Sequence, residues 1–320
     1  MAVGVRVPSL APRTAAPPKE PGARLVFGGR SPDVACFASV SNARDPLREV
    51  GRPVFAVLGD PVAHSLSPAM HEAGLRAWGR PGVYVALRVL AEDFATAAAG
   101  AFALGLAGLN VTVPHKARAL AVAVDASEAA RAIGAANTLV RGERGWVAHN
   151  TDADGFVAGL GELGIRHVDR VVVLGGGGAA RAVVWGLLAR GVAGQVTWIS
   201  RRPSALPAWA GVAARGWSEL SGCLPGSDLL VDATSVGMEG GPTAYPIDPD
   251  PAVLAPGAAV VDLSYGRHPS ALLRRARAAG RRTQDGRAML LHQGVRAQAL
   301  WWGDEVPARV VDAMRRALEM

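Results

Sequence analysis

Short apolar runs alternate with stretches of helical spacing from residue 54 onward. VFAVLG (54–59) and VYVALRVL (83–90) read as strands, rich in valine and bounded by glycine or proline. Between them SPAMHEAGLRAWG offers Ser67 as a helix N-cap, Pro68 at the first helical position and Gly79 as a stop. EDFATAAAGAFALG reads as a helix and GLNVTVP (108–114) as a third strand. Helical stretches continue to Ile133, and NTLVR and WVAHN follow. The pattern then restarts. DADGFVAGLGEL is helical, RVVVLGGGG (170–178) is a strand running into glycines, and AARAVVWGLLARG is the next helix. QVTWIS (195–200), DLLVDAT (228–234) and AAVVDLS (258–264) are further strands, and residues 288–318 are helical. Such alternation predicts α/β layers around a mostly parallel sheet. Its restart predicts two α/β units in series with a cleft between them, where ligands sit outside the carboxyl ends of the strands.

Residues 1–52 break this rhythm. They are rich in proline and hold no sustained periodicity, which predicts a disordered extension. An arginine-rich transit peptide is the alternative, and the acidic residues in the segment count against it.

Composition narrows the function. The 320 residues suffice for two domains, and 50% are hydrophobic. Glycine and proline are abundant but spread among alanine and arginine, as a G/C codon bias produces. A net charge of +7 suits an anionic ligand. The arginines are scattered and aromatics are 5%, so no basic stripe points to nucleic acid. Cys36 and Cys223 form no metal or redox spacing, so no metal is expected and a reducing, cytoplasmic location is. No apolar run reaches the ~18 residues of a membrane span. A small-molecule enzyme, monomeric or homodimeric, is the expectation.

The codon bias makes lysine and asparagine informative. Of 34 basic residues only Lys19 and Lys116 are lysine. Asn110, Asn137 and Asn150 are three of four asparagines, and each falls in a polar cluster at a strand end or turn. Those clusters are HSLSPAMH (64–71), NVTVPHK (110–116), NTLVR and NTD (150–152). Strand-end placement brings them to one rim, where a small, oxygen-rich substrate would find short donors and acceptors.

VVVLGGGGAAR contains Gly175, Gly177 and Ala180 in a G-x-G-x-x-A pattern between a strand and a helix. That context is the one a dinucleotide fingerprint requires, although a plain strand–helix turn reads the same way. Gly175 permits the turn, Gly177 admits the pyrophosphate, and the helix N-terminus offers unpaired N–H groups. The next strand ends in ISRRPS, with Ser200, Arg201 and Arg202 where NAD readers place an acid, and no acid follows until Glu219. Arginine there suits the 2′-phosphate of NADP. Two solvated arginines are the alternative.

Together the motifs resemble shikimate dehydrogenase. GDPVAHSLSPAMH, GLNVTVPHK, GAANTL, HNTDADG, VLGGGGAAR, DLLVDATSVGM, VVDLSY and RTQDGRAMLLHQG occur in family order from about residue 54 to 303. The resemblance implies NADPH-dependent, reversible reduction of 3-dehydroshikimate, a step of chorismate and aromatic amino acid biosynthesis. It implies a substrate-binding domain of residues 53–151 plus 286–320 and a Rossmann-type NADP-binding domain of 152–285. Ser65 and Ser67, helped by Tyr265, would hold the substrate carboxylate. Thr112, Asn137 and Gln293 would bind ring hydroxyls, and Asn110 would support the loop or touch substrate. Lys116 and Asp152 would be the catalytic pair. The cofactor would lie on Gly175, Gly176, Gly177, Gly178 and Ala179, with Ser200, Arg201 and Arg202 at its phosphate. Gly237 and Met238 would border the nicotinamide, and Leu263 and Gly286 would also bind the cofactor.

The lysine at 116 then has a reason. Hydride delivery to a ketone leaves negative charge on oxygen, and an ammonium can donate the proton that arginine cannot release. Asp152 within reach would orient it.

Local alternatives remain. Lys116 also reads as a surface lysine after a proline, and Asp152 as a helix cap, with Asp154 its rival in that role. Ser67 reads as a simple cap, and Gly237 with Met238 as a strand-end turn. Trp301 and Trp302 read as packing, and His64, His71 and His115 as supporting or surface residues without a metal set. The chain also departs from the family pattern. Ser-Arg-Arg stands for Asn-Arg-Thr, Ala205 for a further arginine, Asn-Thr-Asp-Ala for Asn-Thr-Asp-Gly, and Ala288 for a glycine near the nicotinamide. In the tyrosine segment Ser270 takes a threonine's place. Relatives acting on quinate or an amino-shikimate, with NAD, and a dinucleotide-binding regulator without turnover are the competing readings.

Overall fold

The computed structural model describes residues 51–238 and 241–319. The proline-rich extension predicted for 1–52 lies almost wholly outside the described residues. Two six-stranded sheets, each flanked by helices, organise the rest.

The first sheet begins with β1 (Val54–Gly59), α1 (Ser67–Trp78), β2 (Val83–Arg88), α2 (Phe94–Ala103) and β3 (Gly108–Val111). Then follow α3 (Lys116–Ala121), β4 (Asp125–Ala126), α4 (Glu128–Ile133), β5 (Thr138–Arg141) and β6 (Trp146–His149). Its strand order is β2-β1-β3-β5-β6-β4. The expectation of a mostly parallel sheet holds here with one exception. β5 runs antiparallel to both β3 and β6. The cause is loop length. Only residues 142–145 separate β5 from β6, and Gly142 N–H donates to the Gly145 carbonyl at 2.9 Å. So short a link makes a hairpin, whereas a parallel crossover needs a dozen residues or more.

The second sheet is built from α5 (Asp152–Glu162), β7 (Val168–Leu174), α6 (Gly178–Ala189), β8 (Ala193–Ile199), β9 (Val212–Arg215), α7 (Leu220–Cys223) and β10 (Leu229–Asp232). β11 (Ala259–Asp262), α8 (Ala271–Ala278) and β12 (Arg282–Gln284) complete it. All its pairs are parallel, in the order β12-β11-β10-β7-β8-β9. Counted from β7, this is the 3-2-1-4-5-6 order of a doubly wound dinucleotide-binding sheet. The strand order reverses between β7 and β10, beside the glycine loop that follows β7. Alternate residues serve opposite faces. Val171, Val173, Leu229 and Val231 join one helix layer, while Val172, Leu174, Leu230 and Val260 join the other. Burial on both faces explains why these strands are continuous apolar runs.

α9 (Arg287–Trp302) and α10 (Ala308–Glu319) return to the first sheet. Trp301 packs on Phe55, and its indole N–H donates to the Leu139 carbonyl at 3.1 Å. Met314 and Leu318 of α10 pack with Met70 of α1. α5 is wedged between α9 and α6. A side chain at Gly155 would stand 2.7 Å from the Gln293 backbone nitrogen, so the glycine lets α5 and α9 touch. No helix among the described residues is long and apolar enough to cross a membrane.

Two buried carboxylates, Asp232 and Asp262, end β10 and β11 side by side. Asp232 accepts from Thr234 N–H at 2.9 Å and from the Tyr245 hydroxyl. Burial, then the Asp262 charge, pushes the Asp232 carboxyl up to about 6. A raised carboxyl binds its proton more tightly in the folded chain, so stability falls as pH rises from about 4 to about 6 and stays lower above. Asp232→Asn keeps the shape and removes the charge. It should raise the melting temperature at pH 8, by at most on the order of 3 kcal/mol in stability, and the gain should vanish in melts below pH 4.

Candidate active site

One cleft of about 780 Å³ runs from Ser65 and Ser67 on the first sheet to Arg201 and Arg202 on the second. At its first end the chain leaves β1 and turns at Ser65, whose hydroxyl accepts the Ser67 N–H at 3.2 Å. Ser67 is therefore the first residue of α1, not its cap. Leu66 holds the cap position without a side-chain bond. Tyr265, delivered by the loop after β11, faces the Ser65 hydroxyl and the Leu66 backbone. Burial pushes its phenol up, and those contacts oppose the rise.

The middle of the cleft holds the buried pair. The Lys116 Nζ lies 2.5 Å from Asp152 Oδ2, with side-chain exposures of 14% and 6%. Lys116 opens α3 just after β3, and Asp152 opens α5. Asp152 does not cap its own helix. Its N–H is taken by Asn150 Oδ1 at 3.1 Å, while Asn150 Nδ2 donates to the Ala135 carbonyl at 2.9 Å. The carboxylate is thus left for Lys116 and for Asn137, whose Nδ2 donates to Oδ1 at 2.9 Å. Asp154 points away and pairs with Arg190 at 2.6 Å. Neither the surface-lysine nor the cap reading describes this pair.

Asn137 gathers further partners. Its Nδ2 also reaches Thr151 Oγ1 at 2.9 Å and Gln293 Oε1 at 3.2 Å, and its Oδ1 accepts the Thr151 N–H at 2.7 Å. Asn110 lines the cleft, but its amide is engaged. Oδ1 accepts from the Tyr84 hydroxyl at 2.7 Å, and Nδ2 donates to the Asn137 carbonyl and to Thr138 Oγ1, each at 3.2 Å. Of its two expected roles, supporting the loop is the one these bonds serve. Thr112 and Gln293 line the same volume. His71 stacks on Tyr84 with ring centroids 4.3 Å apart, and burial pushes it down to about 3, so it packs as a neutral ring. His115 reaches the Val89 carbonyl at 2.7 Å. No cluster of three or more metal-ligating side chains occurs among the described residues.

The glycine loop forms the opposite wall. Gly175 has φ 112°, a left-handed conformation that favours glycine, and a Cβ there would sit 2.7 Å from the Ala233 carbonyl. A Cβ at Gly177 would meet nothing within 4 Å, and one at Gly178 would lie 3.2 Å from the Lys116 Cβ. The glycine loop and the lysine stem therefore share a boundary. Gly176, Ala179, Met238, Leu263 and Gly286 also line the cleft. Gly237 does not. Its φ of 77° and the bond from its N–H to the Pro242 carbonyl at 2.8 Å make it the turn glycine of that segment. Ala288 is another correction: it lies within contact distance of Gly159 on α5 and does not border the cleft.

Residues 57–139 match the family model for the shikimate dehydrogenase substrate binding domain. A shikimate dehydrogenase (NADP(+)) from Synechococcus sp. (strain JA-2-3B'a(2-13)) is 42% identical over 278 residues, covering 83% of this chain and 94% of the relative. The chain belongs to the shikimate dehydrogenase family. The structure of shikimate 5-dehydrogenase from Thermus thermophilus in complex with NADP(H) and shikimate is 37% identical, with a TM-score of 0.71 over 83% of this chain and 100% of that one. A ligand-free 5-ketofructose reductase of Gluconobacter sp. strain CHM43 is 32% identical, with a TM-score of 0.70 over 84% of this chain and 98% of that one. Within this fold, then, the substrate is chosen by side chains.

For a family member that uses NADP, the wall fits the cofactor. Gly177 caps the twelve-residue α6 without a side-chain acceptor, so the first helical N–H groups have no such partner there. Ser200 turns inward to accept the Arg202 N–H at 3.2 Å. Arg201 and Arg202 are exposed at the cleft mouth, and neither guanidinium has a carboxylate partner among the described residues. Glu219, the first acid after them, is instead 3.3 Å from Arg215. Arg181, three residues into α6, lines the cleft as well and received no role from the motif. Its place in the first turn after the glycines was the available signal.

The two glycines should separate fold from binding. Gly175→Ala is expected to lower stability by about 2 kcal/mol, the cost of a strained backbone position. Gly177→Ala should melt like the parent but raise the KM for NADP about tenfold, because its methyl enters the phosphate approach. Thermal melts beside cofactor titrations read both.

Proposed function

We propose that this protein is an NADP-dependent shikimate dehydrogenase, interconverting 3-dehydroshikimate and shikimate. What supports the reading is the buried Lys116–Asp152 pair at 2.5 Å, set between the polar rim and the glycine loop. When bound, NADPH supplies the hydride that reduces the substrate ketone. The chain's own residues do the rest. Lys116 Nζ donates the proton that neutralises charge developing on the carbonyl oxygen, and takes it back in the reverse direction. Asp152 holds the ammonium in place and offers an acceptor to a neighbouring hydroxyl. Ser65, Ser67 and Tyr265 hold the carboxylate with neutral hydroxyls, while Thr112, Asn137 and Gln293 orient the ring. Arg201 and Arg202 read the additional phosphate of NADP.

In this reading residues 53–151 with 286–320 carry the substrate and residues 152–285 carry the cofactor. The return of α9 and α10 to the first sheet supports that division, since Gln293 on α9 reaches Asn137.

Lys116→Ala and Asp152→Asn should each bind NADPH normally yet lose turnover by about 10²–10⁴, the usual worth of a general acid–base group. Nicotinamide absorbance and fluorescence titration measure the two quantities, and near-normal turnover in either variant would remove the assignment. Crossing shikimate and quinate against NADP⁺ and NAD⁺ should give a strong signal for shikimate with NADP⁺ alone.

A further inference from the structure

A continuous chain of buried polar groups leads from the edge strand β2 to the catalytic carboxylate. Tyr84 and Thr138 lie outside the cleft lining, at 2% and 0% exposure, and no role in the reaction attaches to either from their motifs. The direction of each bond follows from its neighbours. Asn110 Nδ2 faces the Asn137 carbonyl, which can only accept, so Asn110 Oδ1 must face Tyr84, and the Tyr84 hydroxyl donates to it at 2.7 Å. The second Nδ2 hydrogen goes to Thr138 Oγ1 at 3.2 Å. Having accepted there, the Thr138 hydroxyl spends its own proton onward, on Asn137 Oδ1 at 3.3 Å or Thr151 Oγ1 at 3.2 Å. Asn137 Oδ1 is fixed as the acceptor end by the Thr151 N–H at 2.7 Å, with the Thr138 hydroxyl beside it at 3.3 Å, and its Nδ2 is thereby turned toward Asp152 Oδ1 at 2.9 Å.

We infer that Thr138 is a positioning residue for the reaction, holding Asp152 in register through Asn137 at the centre of the chain Tyr84, Asn110, Thr138, Asn137, Asp152. It touches neither substrate nor cofactor. Among the described residues Thr138 is the hydroxyl that joins the two asparagine side-chain amides. The Thr151 N–H still sets which end of the second amide accepts, so loss of Thr138 changes the tilt of that amide and does not flip it. The small displacement that follows at Asp152 acts on the lysine 2.5 Å away. The inference rests on Asp152 being catalytic, as argued above.

The test is Thr138→Val, which keeps the branched shape and removes the hydroxyl. Expected are a kcat reduced about tenfold, on the scale of one buried hydrogen bond, and an unchanged KM for NADP⁺. Thr138→Ser retains Oγ and should restore most of the loss. A serine variant as impaired as valine would assign the residue to packing and overturn the inference. In an Asp152→Asn background Thr138→Val should cost less than twofold, whereas a general structural defect would cost the same tenfold there and overturn it too. Should the valine variant fail to bind NADPH as a folded protein does, Tyr84→Phe reads the chain from its far end. It should lower kcat at least about twofold, and an unchanged kcat would refute the chain. The two readings stay distinguishable. Full turnover in Asp152→Asn defeats the proposed function, while a silent Thr138→Val beside an inactive Asp152→Asn defeats only this inference.

Discussion

The Lys116–Asp152 ion pair is the constraint on which the rest of the site depends. Removing two charges from water costs several kcal/mol per ion, and their attraction repays this only with good geometry and further hydrogen bonds. The surrounding asparagines supply those bonds. Asn137 donates to the second carboxylate oxygen, and Asn150 takes the Asp152 backbone N–H, so the side chain is released from capping its own helix. The asparagines retained in the motifs are thus the supports of one buried charge.

Helix packing places that charge. α5 carries Asp152 and touches α9 through Gly155 and α6 through Gly186, where an added Cβ would stand 2.9 Å from the Ala153 carbonyl. α6 begins at the glycine loop, and α9 brings Gln293 against Asn137 and Thr151. One short helix therefore sets the distance between glycine loop, Lys116–Asp152 pair and polar rim. The same contacts leave the Lys116 stem against Gly178. A hydride source seated on that loop and the lysine ammonium would then face one volume, which is what the proposed carbonyl reduction requires.

Much of this was legible in the sequence, and what was not has physical causes. The strands of the second sheet stand out because burial on both faces makes them continuous valine and leucine runs. β9 and β12 did not stand out: VAAR and RTQ are short, partly exposed edge strands with no apolar signature. The direction of β5 is set by a four-residue hairpin loop, which hydrophobic period does not report. Ser67 looked like a cap because Ser-Pro is a good helix start, yet Ser65 takes its amide. Asp152 and Asp154 are chemically equal in sequence. Arg190, at the end of α6, turns Asp154 outward while Asn137 draws Asp152 in. Thr138 and Thr151 carried no signal, since their bonds join groups far apart in the chain.

Chemistry and choice of ligand are separable in this architecture. The similarity to a 5-ketofructose reductase at a TM-score of 0.70 places two different substrates on one scaffold. In the proposed reading, a buried lysine–carboxylate pair beside a dinucleotide loop would serve any ketone that can be seated there. Selection then falls to the two ends. At the rim, the proposed substrate site offers neutral hydroxyls from Ser65, Ser67 and Tyr265, which would recognise by hydrogen bonding. Such a surface would discriminate mainly by rejection, because a ligand lacking the matching acceptor leaves the buried Ser67 hydroxyl and its half-buried neighbours unpaired. At the cleft mouth, Arg201 and Arg202 stand without carboxylate partners among the described residues, and Glu219 is occupied by Arg215. Cofactor recognition there, as proposed, would be electrostatic and cost little desolvation, since both arginines are exposed. On the proposed assignment, replacing the mouth would change the cofactor and replacing the rim would change the substrate, while the pair between them would go on moving the same proton.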